Sequence, residues 1–303
     1  MERLVNMKII NGNDFNAFKE IGALDVTIGA YDGLHSGHLA VIEKLLSDKK
    51  NKTAVITFLI HPDVSLKKRE DYGLLETKDE KELFFSNLGI DYLIYLDSDM
   101  LGYSYQDFNY YLKKINVKRI AVGSDFVYGK KALGNIETLK TDFDVEVVDL
   151  VKNGEEKISS NLVRTALEKG DIKKANEILE HEFSISGLVL HGDRVGTVLG
   201  FKTANLEPHE KFHDLRFGVY KVKVVIDDKE YLGISNFGYN PTIKKNSVPR
   251  LETHIFNYNV DLYGKFIKVI FIDFIRDEIL FNSKEELIKQ IKEDIKKIGV
   301  DLQ

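Results

Sequence analysis

Residues 26–38 bring glycines and histidines together at spacings that suit the binding of a phosphate. Their order, Val-Thr-Ile-Gly-Ala-Tyr-Asp-Gly-Leu-His-Ser-Gly-His, predicts a buried strand, a tight turn and the start of a helix. Gly29 and Gly33 would let the backbone approach a ligand closely, and the N–H groups at the start of the helix would attract anions. His35 and His38 lie three residues apart, so they share one face of the helix and can reach the same phosphate.

Two plainer interpretations of this stretch stay open. One is a strand-turn-helix connection with two surface histidines, and the other is a zinc site, which would need further ligands in a chain without cysteine. The glycines, Tyr31, Asp32 and the His-x-Gly-His sequence together resemble the HxGH nucleotidyltransferases, which transfer a nucleotidyl group from a nucleoside triphosphate to a phosphate-bearing acceptor. The resemblance implies that His35 and His38 hold the triphosphate. It also implies that Tyr31, Asp32 and the two glycines of the turn bind the nucleotide.

Length and composition indicate a globular protein of two domains. The 303 residues suffice for two ordinary cores, and 43% apolar with 30% charged residues is typical of a folded chain. A net charge of -5 without a dense Lys/Arg block argues against nucleic acid or an anionic membrane as a partner. The lack of cysteine and of a long apolar run predicts a cytoplasmic protein without membrane contact. The oligomeric state is left open, with a homo-oligomer as one option.

From residue 25 to about residue 180, short apolar runs alternate with amphipathic segments, which is typical of βα units and a parallel sheet. We expect strands at residues 26–29, 54–59, 92–96, 120–123 and 145–150, and helices at residues 39–47, 77–88 and 105–115. Ligands bind at the carboxyl ends of such strands, where the histidine turn lies. We therefore predict a Rossmann-like nucleotidyltransferase domain over residues 1–181.

Other polar and aromatic side chains follow predicted strands of this domain at the same edge of the sheet. They are His61, Asp125, Phe126 and Tyr128. A plain strand exit explains each of them equally well.

Ser159, Ser160 and Arg164 form a second candidate anion site. Two hydroxyls at a helix N-cap with an arginine one turn later suit a phosphate, although a simple helix cap has the same pattern.

After residue 182 the chain becomes rich in short alternating strands without parallel connections. We expect strands at residues 183–190, 219–226, 231–236, 253–257 and 267–274, and a terminal helix at residues 283–298. The prediction is a small antiparallel β-barrel with a terminal helix over residues 182–303, so the fold class is α/β followed by β.

A glycine-rich stretch with Gly196 and Gly200 precedes Thr203 and Asn205 in this second domain. Hydroxyl and amide oxygens of this kind suit Mg²⁺, which takes few protein ligands beside phosphate and water. The alternative is a β-turn in which the threonine and the asparagine cap the backbone.

The order of all these motifs resembles the prokaryotic bifunctional riboflavin kinase/FMN adenylyltransferases, also called FAD synthetases. That resemblance implies that ATP phosphorylates riboflavin to FMN in the second domain. A second ATP would then adenylylate FMN to FAD in the first domain, with release of pyrophosphate. Mg²⁺ is the implied cofactor, ATP the co-substrate, and riboflavin, FMN and FAD the substrates or products.

The same resemblance implies residue roles. Thr203 and Asn205 would bind Mg²⁺ and nucleotide phosphate beside the two glycines, Glu252 would be the base for the ribityl 5′-hydroxyl, and Arg276 would lie beside the ligands. In the first domain, Ser159, Ser160 and Arg164 would bind phosphate. The residues near the flavin would be His61, Asp125, Phe126 and Tyr128. For Glu252, a strand residue paired with Arg250 is the alternative.

Two other functions are weighed against this one. Thr197 and Lys202 stand where the family has arginine and proline, which favours an enzyme that keeps only the adenylyltransferase activity as the second choice. A non-catalytic flavin-binding regulator or chaperone is less favoured, because the charged site residues are all present.

Overall fold

The computed structural model describes residues 7–66, 73–190, 203–208, 212, 215–238, 249–258 and 260–299. The chain divides into two compact units. The first comprises Met1–Tyr72 and Thr77–Ser160, and the second comprises Gly73–Glu76 and Asn161–Gln303. Among the described residues, no helix is both long enough and apolar enough to cross a membrane.

A parallel sheet forms the centre of the first unit. The strands of this unit are, in chain order, β1 (Lys8–Asn11), β2 (Leu24–Ile28), β3 (Lys52–Phe58), β4 (Tyr92–Leu96), β5 (Val117–Gly123), β6 (Val127–Tyr128), β7 (Gly134–Asn135), β8 (Asp144–Val148), β9 (Lys152–Asn153) and β10 (Glu156–Lys157). Six of them pair in the order β1-β4-β3-β2-β5-β8, with β1 and β8 at the edges. The pairs β6-β7 and β9-β10 are short antiparallel hairpins. The predicted parallel sheet is confirmed, and β1 is an additional edge strand.

Helices cover both faces of this sheet. They are α1 (Phe15–Ile21), α2 (Ser36–Ser47), α3 (Pro62–Ser65), α4 (Lys78–Asn87), α5 (Tyr105–Lys114) and α6 (Ile136–Lys140). Ile42 of α2 and Phe85 of α4 belong to one buried cluster, whereas Phe18 of α1 and Phe108 of α5 belong to another. Central strands contribute to both clusters because their side chains alternate between the two faces. The sheet is therefore buried on both sides and presents its carboxyl edge to ligands.

The second unit is a closed antiparallel barrel with helices before and after it. Its elements are α7 (Ser160–Lys169, whose first residue closes the first unit), α8 (Ile172–Leu179), β11 (Ser184–Leu190), β12 (Thr203–Pro208), β13 (Gly218–Ile226), β14 (Lys229–Gly238), β15 (Arg250–Ile255), β16 (Phe266–Asp277) and α9 (Lys284–Lys297). The strand order around the barrel is β11-β12-β15-β14-β13-β16. The predicted barrel and terminal helix are confirmed.

Helix α8 belongs to the second unit because one of its side chains forms hydrogen bonds with backbone groups of the barrel. The Asn176 amide donates to the carbonyl oxygen of Phe271 (2.9 Å) and accepts from the backbone N–H of Phe183 (2.7 Å). The second unit accordingly resumes at Asn161, in the first turn of α7, and includes all of α8. The domain boundary at residues 181/182 stays a prediction of the sequence.

Candidate functional site

The turn between β2 and α2 depends on a tyrosine that folds back over a glycine. Tyr31 has a φ of 48°, in the left-handed region, and its buried hydroxyl lies 2.5 Å from the Thr27 hydroxyl. A Cβ on Gly29 would lie 2.9 Å from the tyrosine ring, so the ring would have to shift. Gly29 therefore makes room for the ring of Tyr31, and Tyr31 shapes the turn from inside the core.

Hydroxyl groups fix the carbonyl oxygens of the same turn. Thr57, at the end of β3, donates to the carbonyl oxygen of Ala30 (3.1 Å). Ser160 donates to the carbonyl oxygen of Asp32 (2.6 Å). The structure thus gives Ser160, which the sequence places at an anion site, a clear second role in positioning the turn. Asp32 is itself buried.

The two histidines meet at the N-terminus of α2. His35 is the N-cap, and its Nδ1 accepts a hydrogen bond from the backbone N–H of His38 (3.3 Å). The imidazole rings stack with centroids 3.7 Å apart and planes at 14°. A Cβ on Gly37 would lie 3.1 Å from the His35 ring, so the glycine of His-x-Gly-His gives that ring its place. The structure brings both imidazoles to one helix end, as their spacing predicts.

Both imidazoles are neutral at neutral pH. Burial, followed by the nearby Lys157 ammonium, lowers the pKa of His35 to about 4. Burial, followed by His35, lowers the pKa of His38 well below its ordinary value. The Nδ1 atom of His38 is buried and has no hydrogen-bond partner among the described residues. The pair therefore offers polar ring nitrogens to a ligand, but no fixed positive charge.

Four residues predicted to lie near the flavin have different surroundings. Tyr128 is in the core, and its hydroxyl donates to the side-chain oxygen of Asn109 (2.7 Å). Phe126 is partly exposed and stacks on Tyr128 at 5.7 Å. Asp125 is exposed after β5 and forms an ion pair with Lys157. His61 follows β3, and its Nδ1 caps helix α3.

Asn205 and Glu252, which the sequence predicts for the kinase site, lie with Asn236 in a row across three strands. Asn205 in β12 is opposite Glu252 in β15, which is opposite Asn236 in β14. Opposed residues of antiparallel strands share a face. Their neighbours Leu206 and Leu251 are buried inside the barrel, so the row faces outward. Thr203 lies two residues before Asn205, on the same face of β12.

One atom of this row suits a bound cation. The side-chain oxygen of Asn205 is buried and has no hydrogen-bond partner in the described part of the chain. The described residues contain no cluster of three His, Cys, Asp or Glu side chains that could hold a metal. A site built from the Asn205 oxygen, the Thr203 hydroxyl, phosphate oxygens and water is therefore of the kind that Mg²⁺ prefers, and the residues present fit this ion.

Arg276 is engaged elsewhere in the barrel unit. Its Nε donates to the buried carboxylate of Asp294 in α9 (2.8 Å), and its Nη1 donates to the carbonyl oxygen of Asp277 (2.9 Å). This anchors the terminal helix. Arg164 is also buried and donates to the carbonyl oxygen of Gly73 (3.2 Å).

Several predicted positions are not located by the structure. Gly196, Thr197, Gly200 and Lys202 lie outside the described residues. Ser159 is partly exposed just before α7.

The sequence interpretation missed Lys157 and Lys81, which both act on the histidine pair. Each of their charges lowers the pKa of His38. Lys157 directly precedes the Ile-Ser-Ser segment, and that proximity to a predicted anion site is the available signal.

Comparison with known proteins identifies the family. A family model for riboflavin kinase matches residues 179–300, and one for FAD synthetase matches residues 19–162. A bifunctional riboflavin kinase/FMN adenylyltransferase of Listeria monocytogenes is 33% identical, covering 89% of both chains. The chain belongs to this family. Its relatives with the same name in Bacillus subtilis and Escherichia coli K12 are 34% and 32% identical, covering 89% and 95% of this chain. They are covered over 89% and 96% of their own lengths.

A solved structure shows the same architecture over the full length. A protein of Streptococcus pneumoniae, solved under the name macrolide-efflux protein, superposes with a TM-score of 0.86 at 28% identity. The match covers 98% of this chain and 100% of that one.

As a bifunctional riboflavin kinase/FMN adenylyltransferase, the protein is a transferase of FAD biosynthesis. It phosphorylates riboflavin to FMN with ATP and adenylylates FMN to FAD with release of pyrophosphate. Its substrates and products are ATP, riboflavin, FMN and FAD. The adenylyltransferase-only enzyme and the non-catalytic binder are therefore set aside.

Proposed function

We propose that FMN adenylylation takes place at the histidine turn and riboflavin phosphorylation at the outward row of the barrel. The observation that supports this most is the stacked His35–His38 pair at the N-terminus of α2, beside the carboxyl ends of β2, β3 and β5. Such a helix end attracts phosphate, and the carboxyl edge of a parallel sheet is where ligands bind.

Adenylyl transfer needs positioning and charge stabilisation, with no covalent nucleophile from the protein. An FMN phosphate oxygen attacks the α-phosphorus of ATP, and the bond to pyrophosphate breaks. The ring N–H of His35 donates a hydrogen bond to a phosphate oxygen on which negative charge accumulates. The ring N–H of His38 moves from the Gly33 backbone carbonyl to a second phosphate oxygen when the ligand binds. Neutral imidazoles serve as donors here because each retains one N–H. Ser159 completes the phosphate contacts in this proposal, and His61 and Phe126 lie toward the flavin.

In the kinase reaction we assign Glu252 to orient the 5′-hydroxyl of riboflavin and accept its proton as the γ-phosphoryl group is transferred. A loose phosphoryl-transfer transition state needs an oriented alcohol more than a strong base, which suits a carboxylate. Thr203 and Asn205 would hold Mg²⁺, which supplies positive charge to the phosphates when bound. Gly196 and Gly200, which lie outside the described residues, would bind nucleotide phosphate. Arg276 contributes in this proposal by anchoring helix α9 through Asp294.

A cytoplasmic location and independence from nucleic acid are parts of the same proposal.

Paired variants of the full-length protein test the two assignments. We expect His38→Ala to abolish FAD formation from FMN and ATP while riboflavin phosphorylation stays near wild type. Glu252→Gln keeps the shape but cannot accept the proton, so it should abolish phosphorylation and leave FAD formation from supplied FMN. Both reactions are followed by resolving riboflavin, FMN and FAD over time. A variant that melts like wild type but loses both activities together would contradict the separation of the sites.

A further inference from the structure

The proposed adenylylation site needs a source of positive charge that the histidines do not provide. A nucleoside triphosphate brings several negative charges, whereas both imidazoles of the turn are neutral. Two lysines of the first unit influence them electrostatically, Lys81 and Lys157. Lys81 is directed to the carbonyl oxygen of Ala30 (3.4 Å), where it helps to hold the turn. Among the described residues, Lys157 forms no such hydrogen bond with the backbone of the turn. Its ammonium group is therefore less occupied by the turn than that of Lys81.

The backbone on the C-terminal side of Lys157 is fixed against the histidine turn. Lys157 ends the β9–β10 hairpin, and the next residue, Ile158, donates to the carbonyl oxygen of Val151 (3.0 Å). The carbonyl oxygen of Ile158 lies 3.8 Å from where a Cβ on Gly37 would stand. Two residues later, Ser160 holds the carbonyl oxygen of Asp32. Hydrogen-bonded backbone therefore places Lys157 beside the N-terminus of α2.

Among the residues that the structure describes, the Lys157 ammonium has one ion-pair partner, Asp125, just after β5. The two side chains are 44% and 50% exposed, and exposed ion pairs of this kind contribute little stability. A phosphate carries more negative charge than a carboxylate. It can therefore replace Asp125 as the partner of the Lys157 ammonium with little loss of stability. Asp125 meanwhile keeps the long side chain on the ligand side of the turn.

We propose that Lys157 is a phosphate-binding residue of the adenylylation site, and that Asp125 is a positioning residue that holds its ammonium group ready. This inference rests on the proposed location of the site at the histidine turn. It replaces the expectation from the sequence that Asp125 contacts the flavin.

Charge-neutralising variants of the full-length enzyme test the role of Lys157. We expect Lys157→Gln to raise the KM for ATP in FAD formation by about tenfold or more, as for the loss of one charge-assisted contact. Lys157→Arg keeps the charge and should stay within about threefold of wild type. Lys118→Gln removes one charge from an exposed position near the start of β5, at the opposite edge of the sheet, and should change nothing. The KM for ATP in riboflavin phosphorylation, measured on the same proteins, should stay constant.

A double-mutant cycle tests the role of Asp125. If Asp125 acts through Lys157, Asp125→Asn raises the KM for ATP in wild type but has no further effect in the Lys157→Gln protein. The KM for FMN stays unchanged in both. An additive effect, or an increase confined to the KM for FMN, would overturn the positioning role and return Asp125 to the flavin.

A Lys157→Gln enzyme within twofold of the wild-type KM for ATP would overturn the proposal for Lys157. If His38→Ala still abolishes FAD formation in that case, the location of the site stands without the lysine. If His38→Ala is also active, the location itself is wrong. The two failures are thus told apart by one set of measurements.

Discussion

The surroundings of His35 keep its imidazole neutral, and the free energy of unfolding therefore depends on pH. Its neighbours are His38, Asp32 and the ammonium of Lys157, and its folded pKa is about 4 against an ordinary value of 6.5. Between these values the unfolded chain binds a proton that the folded chain does not. The free energy of unfolding must therefore fall as the pH decreases from 6.5 toward 4, and the contribution of this residue levels off below that window.

We expect His35→Asn to weaken this pH dependence. Asparagine is a good N-cap and does not titrate, so the variant should lose a contribution of up to about 3 kcal/mol between pH 6.5 and pH 4. Denaturant unfolding of both proteins at several pH values measures the difference. Parallel curves for variant and wild type would show that His35 titrates normally in the folded protein.

A second prediction at this scale concerns Gly37. In Gly37→Ala the new Cβ lies 3.1 Å from the His35 ring, which has to shift by a few tenths of an ångström. We expect FAD formation to fall about tenfold, because misplacement of catalytic groups is costly, while helix stability is unchanged or slightly improved. Gly102→Ala is the control, since a Cβ there meets nothing within 4 Å. Equal kinetics for the two variants would show that the ring position is unimportant.

Among the elements, α9 is joined to the barrel by a buried carboxylate in addition to apolar contacts. Asp294 is 1% exposed and accepts hydrogen bonds from Arg276 (2.8 Å) and from Gln290 (2.9 Å). Removing one partner of a buried ion pair leaves the other without compensation, so Asp294→Asn should destabilise the protein by about 3 kcal/mol. Lys297 is 56% exposed and lies 4.0 Å from the same carboxylate. Lys297→Gln should therefore lower the free energy of unfolding by less than about 0.5 kcal/mol. Denaturant unfolding that found equal losses would contradict the anchoring role of Asp294.

The elements also show where the sequence is informative. β2, β3 and β4 contain short apolar runs and are buried along almost their whole length, and α4 begins at a capping box formed by Thr77 and Glu80, so local pattern suffices to predict them. The edge strand β1 buries only one of its four residues and gives no apolar signal. β12 follows a glycine-rich stretch and is not among the strands that the sequence predicts.

The residues of the candidate site also differ in whether the local sequence can predict them. The histidine turn is predictable because all its residues lie within one short segment. Tyr128 and Asn109 are 19 residues apart, and Asp125 and Lys157 are 32 residues apart. Pairings at such separations depend on how elements pack, which no local pattern encodes. The sequence therefore predicts Tyr128 near the flavin, and only the structure shows that its hydroxyl donates to Asn109.

For the whole molecule, the position of the boundary between the units has consequences for fragments. Asn176 of α8 satisfies two backbone groups of the barrel, at Phe271 and Phe183. We expect a fragment of residues 161–303 to unfold at a higher temperature than one of residues 182–303, since the shorter fragment leaves those groups unpaired. Thermal unfolding followed by circular dichroism measures this. Equal midpoints would support the boundary that the sequence predicts.

The barrel and the parallel sheet differ in how they expose backbone to other chains. Closure leaves the described barrel strands paired on both sides, whereas the sheet of the first unit ends at β1 and β8. Edge strands can pair with strands of another molecule, and charged side chains such as Lys8, Asp144 and Glu146 discourage this. On heating or at high concentration, aggregation should therefore start from the adenylyltransferase half, and neutralising the charges of β8 should accelerate it.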